Sequence, residues 1–217
     1  MTSTSATPTP SMTSMMTPAN LVHIIDDDEA ICDALAWQLR TREIECTTWS
    51  SAEDFLDAWR PEWSGCIVLD IRLNGMSGLT CFDALIENQC QLPVIFITGQ
   101  GDIQMAVEAL KKGAFDFVEK PFNHNDLVDR VLAAFKLSDE RRRIEASREV
   151  VEERLGTLTP REREVMDLIL EGRYNKVIAN QLVISMRTVE AHRSHIFNKM
   201  KVRSAVELAQ LLTAMKE

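Results

Sequence analysis

The chain has 217 residues, 45% hydrophobic and 26% charged, with 8 Gly, 7 Pro and a formal net charge of -9. This composition excludes fibrous, collagen-like and wholly disordered chains and suits one large domain or two small ones. No apolar run nears the ~20 residues that cross a bilayer, and the Ser/Thr/Pro/Met start lacks a basic or apolar leader, so an unexported cytoplasmic protein without membrane contact is expected.

The charge is unevenly distributed. Residues 156–217 carry 10 Lys/Arg against 7 Asp/Glu, a net +3, which leaves -12 for residues 1–155. Such a division fits an acidic cation-binding part followed by a nucleic-acid-binding part. The five cysteines, Cys32, Cys46, Cys66, Cys81 and Cys90, are odd in number and have no CxxC or Cys/His ligand spacing. They are expected as small buried hydrophobes in a reducing compartment, not as a disulfide framework or zinc site.

Residues 1–19 hold ten Ser/Thr and three Pro without a charge, and are expected to be a disordered tail because they bury too little to offset the cost of ordering. Residues 20–137 then alternate apolar runs with amphipathic stretches. The runs are 21–25, 66–69, 94–97 and 115–118, with 44–49 a more polar, edge-like candidate. The amphipathic stretches begin near Glu29, Ser51, Gly78, Asp102 and Asn123. Five strands alternating with five helices predict an α/β fold, a doubly wound parallel sheet covered on both faces.

Residues 138–155 are highly charged and lack Gly and Pro, with Leu137, Ile144 and Val151 seven apart. Two intervals do not establish a heptad, so a solvated helical linker is expected in preference to a coiled coil. Gly156 punctuates the chain, and Thr159-Pro160-Arg161-Glu162 carries an N-cap, a proline at the first helical position and a capping-box Glu. Helices over 175–182, 186–200 and 204–215, with Ser185 and Ser204 as N-caps, complete a small all-α domain of four helices over 156–217.

In an open parallel sheet, ligands gather beyond the carboxyl ends of the strands. Asp26, Asp27 and Asp28 follow the first strand, Asp70 ends the third, Thr98 ends the fourth and Lys120-Pro121 follows the fifth. Clustered carboxylates repel unless a cation neutralises them, and an oxygen-only site with room for waters suits Mg²⁺. Asp26, Asp27, Asp70 and the main-chain carbonyl of Arg72 are the expected metal ligands. With the charge neutralised, the Asp70 carboxylate can attack phosphorus to form an acyl phosphate, with Lys120 and Thr98 placed to bind the transferring oxygens.

Five motifs in order, Ile24-Ile25-Asp26-Asp27-Asp28-Glu29, Ile67-Val68-Leu69-Asp70-Ile71-Arg72, Gly75-Met76-Ser77-Gly78, Val94-Ile95-Phe96-Ile97-Thr98 and Val118-Glu119-Lys120-Pro121-Phe122, resemble those of receiver domains of two-component response regulators. The resemblance covers about residues 20–137 and implies a flavodoxin-like sheet. It implies Asp70 as phosphoacceptor, Asp26 and Asp27 as the acidic pair holding Mg²⁺, Lys120 as the phosphate-pairing lysine, Thr98 as the switch hydroxyl and Phe117 as the switch aromatic. A cis Lys120-Pro121 bond is expected on the same ground. Arg72 and Gln100, two residues beyond Asp70 and Thr98, are expected to flank the phosphate. One departure stands out: most receivers have Asp-x-x-x-Pro-Gly, and this chain has Asn74-Gly75. Asn-Gly favours a turn with positive φ, so a loop that closes differently or is more mobile is expected.

Residues 175–200 have the spacing of a helix-turn-helix. In its second helix Val189, Ile196 and Met200 recur at helical spacing and are expected to face a core, with His192 and Arg193 at the margin. Arg187, Glu190, Ala191, Ser194, His195 and Asn198 are expected outward, suited to a major groove; Thr188 and Arg193 join them as DNA-binding candidates, and Lys176, Lys199, Lys201 and Arg203 as phosphate contacts. The motifs Leu158-Thr159-Pro160-Arg161-Glu162, Asn175-Lys176-Val177-Ile178-Ala179 and Thr188-Val189-Glu190-Ala191-His192-Arg193 resemble the LuxR-type output domain, with Tyr174 where a small polar residue is usual and Val177 where Glu is usual.

Together the two parts resemble response regulators of the NarL/FixJ type. The resemblance implies phosphorylation by a cognate sensor histidine kinase, promoter DNA binding, contact with RNA polymerase and homodimerisation on phosphorylation, with no enzymatic turnover beyond the protein's own phosphoryl group. Two rivals are an Mg-dependent aspartyl-phosphate phosphotransferase or phosphatase, disfavoured because Arg72 stands where such enzymes place a second Asp, and a regulator binding RNA or protein.

Overall fold

The computed structural model describes residues 20–99 and 103–215, leaving aside the side chains of residues 103 and 124. The expected tail 1–19, Gln100 and Asp102 lie outside the described residues. The chain divides into two compact units, Met1–Arg141 and Arg142–Glu217.

The first unit holds a five-stranded parallel sheet of β1 (Leu21–Ile25), β2 (Cys46–Trp49), β3 (Gly65–Asp70), β4 (Val94–Thr98) and β5 (Asp116–Glu119), in the order β2-β1-β3-β4-β5. Alternate residues of these strands feed two cores. Val22, Ile24, Cys66, Val68, Ile95 and Ile97 face one way, against α1 (Glu29–Arg40) and the start of α5 (His124–Gly156). Ile25, Ile67, Leu69, Val94 and Phe96 face the other, against α2 (Ala52–Ala58), α3 (Gly78–Glu87) and α4 (Ile103–Lys111). Burial on both faces explains why the inner strands β1, β3 and β4 appear in sequence as largely apolar runs, whereas β2 at the edge, with Thr47 and Thr48 exposed, does not. The strand expected over 44–49 starts two residues later, because Ile44 closes the end of α1, its N–H donating to the Leu39 carbonyl at 3.0 Å, and is buried there.

Asp28 shows how the run of three aspartates is divided. Its side chain caps α1, accepting from the Ala30 N–H at 2.9 Å, while its own N–H donates to Asp26 Oδ1 at 2.9 Å. The cap leaves Asp26 and Asp27 to the pocket.

The second unit contains α6 (Pro160–Leu170), α7 (Asn175–Leu182), α8 (Met186–Met200) and α9 (Ala205–Thr213), packed around Val165, Ile178, Val189, Ile196, Met200 and Leu208. The Thr159/Glu162 capping box is formed, and Ser185 and Ser204 cap α8 and α9. Residues 138–155 lie wholly within α5. Leu137, Ile144 and Val151 form no continuous stripe there: Ile144 is exposed, whereas Val151 is buried in the core of the second unit. Among the described residues no helix is long and apolar enough to cross a membrane.

All five cysteines are free. Burial pushes the Cys32 thiol up to about 11 and Cys81 to about 12, and raises Cys66, Cys46 and Cys90 as well, so none is a ready thiolate.

Candidate functional site

β1, β3 and β4 end side by side, since Ile25 pairs with Leu69 and Asp70 with Ile97. This register brings Asp26, Asp70 and Thr98 to one rim. Lys120 reaches the same rim from the end of β5, where its N–H donates to the Thr98 carbonyl at 2.7 Å and the Lys120-Pro121 bond is cis.

One ammonium joins the carboxylates. Lys120 Nζ lies 2.9 Å from Asp26 Oδ2 and 2.8 Å from Asp70 Oδ2. The second oxygens are held by the backbone, Asp26 Oδ1 by the Asp28 N–H and Asp70 Oδ1 by the Arg72 N–H at 3.2 Å. Asp26 is only 2% exposed and Asp70 7%. Burial pushes the Asp26 carboxyl above its usual range even though Lys120 and the Asp28 N–H oppose it. Burial also works against the Lys120 ammonium, yet its hydrogen bonds and charge contacts with Asp70 and Asp26 outweigh this and raise its pKa.

Asp27 completes the group: one carboxylate oxygen from each of Asp26, Asp27 and Asp70 lies within 4.8 Å of the others. Three carboxylates face a single ammonium, and the cluster keeps an excess of negative charge that burial makes costly. Hard oxygen donors, one partly hydrated edge at exposed Asp27 and unbalanced charge fit a small divalent cation such as Mg²⁺. The Arg72 N–H donates to Asp70 Oδ1, which brings the Ile71–Arg72 peptide to the cluster.

Thr98 is fully buried, and its hydroxyl donates weakly to the Gly99 carbonyl at 3.4 Å. Phe117 pairs in register with Phe96 and is half-buried against the α3/α4 side of the sheet. Two further side chains join the pocket. Asn74 donates to Asp27, and Glu53 Oε1 accepts the Met76 N–H at 2.9 Å, so both ends of the Asn-Gly turn are tied down. Gly75 has φ 80°, as the Asn-Gly pair predicts. The departure from proline was the signal for Asn74; nothing local marked Glu53.

In the second unit, Arg187, Glu190, Ala191, Ser194, His195 and Asn198 line the exposed side of α8, opposite buried Val189, Ile196 and Met200. Thr188, His192 and Arg193 are half-buried, with the Arg193 guanidinium 5.3 Å from the centre of the Phe197 ring. Lys176, Lys201 and Arg203 are exposed. Lys199 has an internal task that its sequence position concealed: its ammonium lies 2.7 Å from Glu162 Oε2 and 2.9 Å from the Thr157 carbonyl oxygen. With the Thr159 N–H on the same Glu162 oxygen at 2.9 Å, the carboxyl is held down to about 2, chiefly by Lys199. Tyr174 occupies the N-cap position of α7 without a capping hydrogen bond and is exposed, as is Val177.

The chain matches the family described as the response regulator receiver domain over residues 22–132, and bacterial regulatory proteins of the luxR family over residues 156–212. It is 46% identical over 192 residues to the C4-dicarboxylate transport transcriptional regulatory protein DctR of Rhodobacter capsulatus, across 88% of this chain and 98% of DctR. It is 43% identical to the transcriptional regulatory protein FixJ of Azorhizobium caulinodans, across 88% of this chain and 90% of FixJ. The structure of the response regulator StyR aligns with a TM-score of 0.83 at 38% identity, covering 90% of this chain and 98% of StyR. The chain therefore belongs to the two-component response regulators that join a receiver domain to a LuxR-type output domain.

Proposed function

We propose that Asp70 accepts a phosphoryl group from a cognate sensor histidine kinase and that this event controls the binding of promoter DNA by α8. In this reading residues 20–137 are the receiver, 138–155 the linker helix and 156–217 the output domain. The observation that carries it is the contact of Lys120 Nζ with two carboxylates, Asp26 and Asp70, that lie 94 and 50 residues away in the chain.

The free carboxylate of Asp70 attacks phosphorus; an O–P bond forms as the N–P bond of the phosphohistidine breaks, and its electron pair stays on the imidazole. Asp26, Asp27, Asp70 and the Arg72 carbonyl would hold Mg²⁺, which when bound neutralises charge on the transferring oxygens. Lys120 is already at the Asp70 carboxylate and pairs with the new phosphoryl oxygens. Thr98 turns its hydroxyl from Gly99 towards the phosphoryl group, and Phe117 follows inward, changing the surface around β5. This is a two-state shift, and its gain is limited by how much better the phosphoryl group is held in one state than in the other.

The output side works on duplex DNA in the cytoplasm. Arg187 and Glu190 reach base edges, with Ala191, Ser194, His195 and Asn198 beside them and Thr188 and Arg193 at the margin; Lys176, Lys201 and Arg203 contact phosphates, with Lys199 next to them in its pair with Glu162. Homodimerisation on phosphorylation makes two half-site contacts additive, and the DNA-bound dimer meets RNA polymerase.

The test is to select a duplex from a random-sequence pool and measure its binding at stated salt, with and without beryllofluoride as phosphoryl mimic, for the wild-type protein and Asp70→Asn. Tighter binding by the wild type alone supports the reading. Equal binding by both proteins under all conditions refutes phosphoryl control, and preference for structured RNA over duplex DNA refutes the output half.

A further inference from the structure

The turn after β3 is held at two points. Glu53, in the first turn of α2, accepts the Met76 N–H, and the Asn74 side-chain amide donates to Oδ2 of Asp27. A Cβ at Gly75 would come within 2.8 Å of Glu53 Oε1, so the backbone and Glu53 fit closely at this position.

The three carboxylates of the cluster differ in what orients them. Asp26 and Asp70 are each clamped between Lys120 and a backbone N–H. Asp27 is exposed and stands at the edge of the cluster, and its orienting donor is the Asn74 amide, 47 residues along the chain. A carboxylate offers about four lone-pair directions, so a donor on one oxygen arrests the group's rotation and still leaves acceptor capacity for a cation. Hydrogen-bond partners of ligating carboxylates typically change metal affinity by about 10–100-fold. Proline, the residue usual in the family at position 74, has no side-chain donor and cannot do this.

We propose that Asn74 is a positioning residue for the divalent cation, acting through Asp27 to set the affinity of the pocket. The inference rests on the cation reading given under Proposed function. Its consequence is that this chain gains at position 74 an orienting bond in place of the rigidity of a proline.

The experiment is a Mg²⁺ titration of the full chain, read by calorimetry and by tryptophan fluorescence. Trp49 is a suitable reporter, since its carbonyl accepts the Asp26 N–H at 3.2 Å. Asn74→Ala and Asn74→Pro are compared with the wild type, and their thermal unfolding without Mg²⁺ controls for global damage. A Kd raised about tenfold in both variants, with unfolding midpoints near wild type, is expected. Wild-type affinity in either variant overturns the inference, because an amide is then unnecessary, and leaves the cation reading intact. Loss of unfolding cooperativity in either variant also overturns it, because Asn74 then serves the fold. If the wild type itself takes up no Mg²⁺ at tens of millimolar, the cation reading fails, and that result is distinguishable from the others.

Discussion

The acidic pocket and the exposed side of α8 use charge in opposite ways. The pocket gathers Asp26, Asp70 and Lys120 from chain positions up to 94 residues apart, buries the two carboxylates and ties each to several partners. The α8 face is built from one contiguous stretch whose polar side chains project from a single helix. Preorganised, mutually dependent groups suit a chemical step, where one loss disables the rest. Separately anchored exposed groups suit a reading surface, where losses add and salt screens.

The pocket side of the contrast is broken most severely by Lys120→Ala. It leaves Asp26 and Asp70 without their shared cation, and the expected cost at neutral pH is about 3 kcal/mol, within the range for opening one side of a buried pair. Denaturant unfolding checks the value, and Mg²⁺ should restore part of the loss; stability unchanged from wild type would mean that the carboxylates are not interdependent.

Glu162→Ala comes next and shows that the second unit also contains one pocket-like element. It removes the acceptor for Lys199 and for the Thr159 N–H together, and about 2 kcal/mol of destabilisation is expected. Because Glu162 titrates at about 2 in the fold against 4.5 ordinarily, its stabilisation is complete above pH 4.5 and disappears as pH falls towards 2. Acid unfolding of Glu162→Gln should lack that segment of pH dependence.

Arg187→Ala sharpens the other side. It should weaken binding to a selected duplex by about 1–2 kcal/mol and relax preference at one base pair, whereas Lys176→Ala should weaken all duplexes alike and lower the salt slope by about 1. A loss in Arg187→Ala that is uniform across sequences would place this residue on the phosphates.

At neutral pH the smallest effect comes from His23, at the centre of a ring cluster with Trp49, Phe55 and Trp63. It stacks on Trp63 at 4.5 Å, and its Nδ1 accepts from the Trp49 indole N–H at 3.3 Å. Burial lowers its pKa to about 4 from 6.5, so the fold holds the neutral ring. The unfolded chain takes up a proton near pH 6.5; stability from the neutral ring is therefore full above 6.5 and declines as pH falls towards 4. His23→Phe should flatten the stability profile in that interval, and an unchanged profile would mean that His23 titrates normally.

Legibility in the sequence followed distance along the chain. Strand runs and the caps at Thr159, Ser185 and Ser204 are local signals, and they lie where neighbouring residues place them. Asp26, Asp70, Thr98 and Lys120 could be expected together because a parallel sheet puts the ends of its strands on one rim. Pairings between elements had no such rule behind them. Lys199 looked like any exposed lysine of a basic helix, yet its partner Glu162 sits on a helix 37 residues earlier. Asn74 announced a turn, and Gly75 makes one, but the Asp27 carboxylate at the other end of its amide is a product of the tertiary fold.

Locating the phosphoryl group itself decides whether Asp70 is the acceptor. The full chain is incubated with acetyl phosphate and Mg²⁺, the acyl phosphate is reduced with borohydride, and the modified residue is identified by mass spectrometry. A single modification at Asp70, absent from Asp70→Asn, is the predicted result. Modification at Asp26 or Asp27, or none anywhere in the wild-type chain, would contradict it.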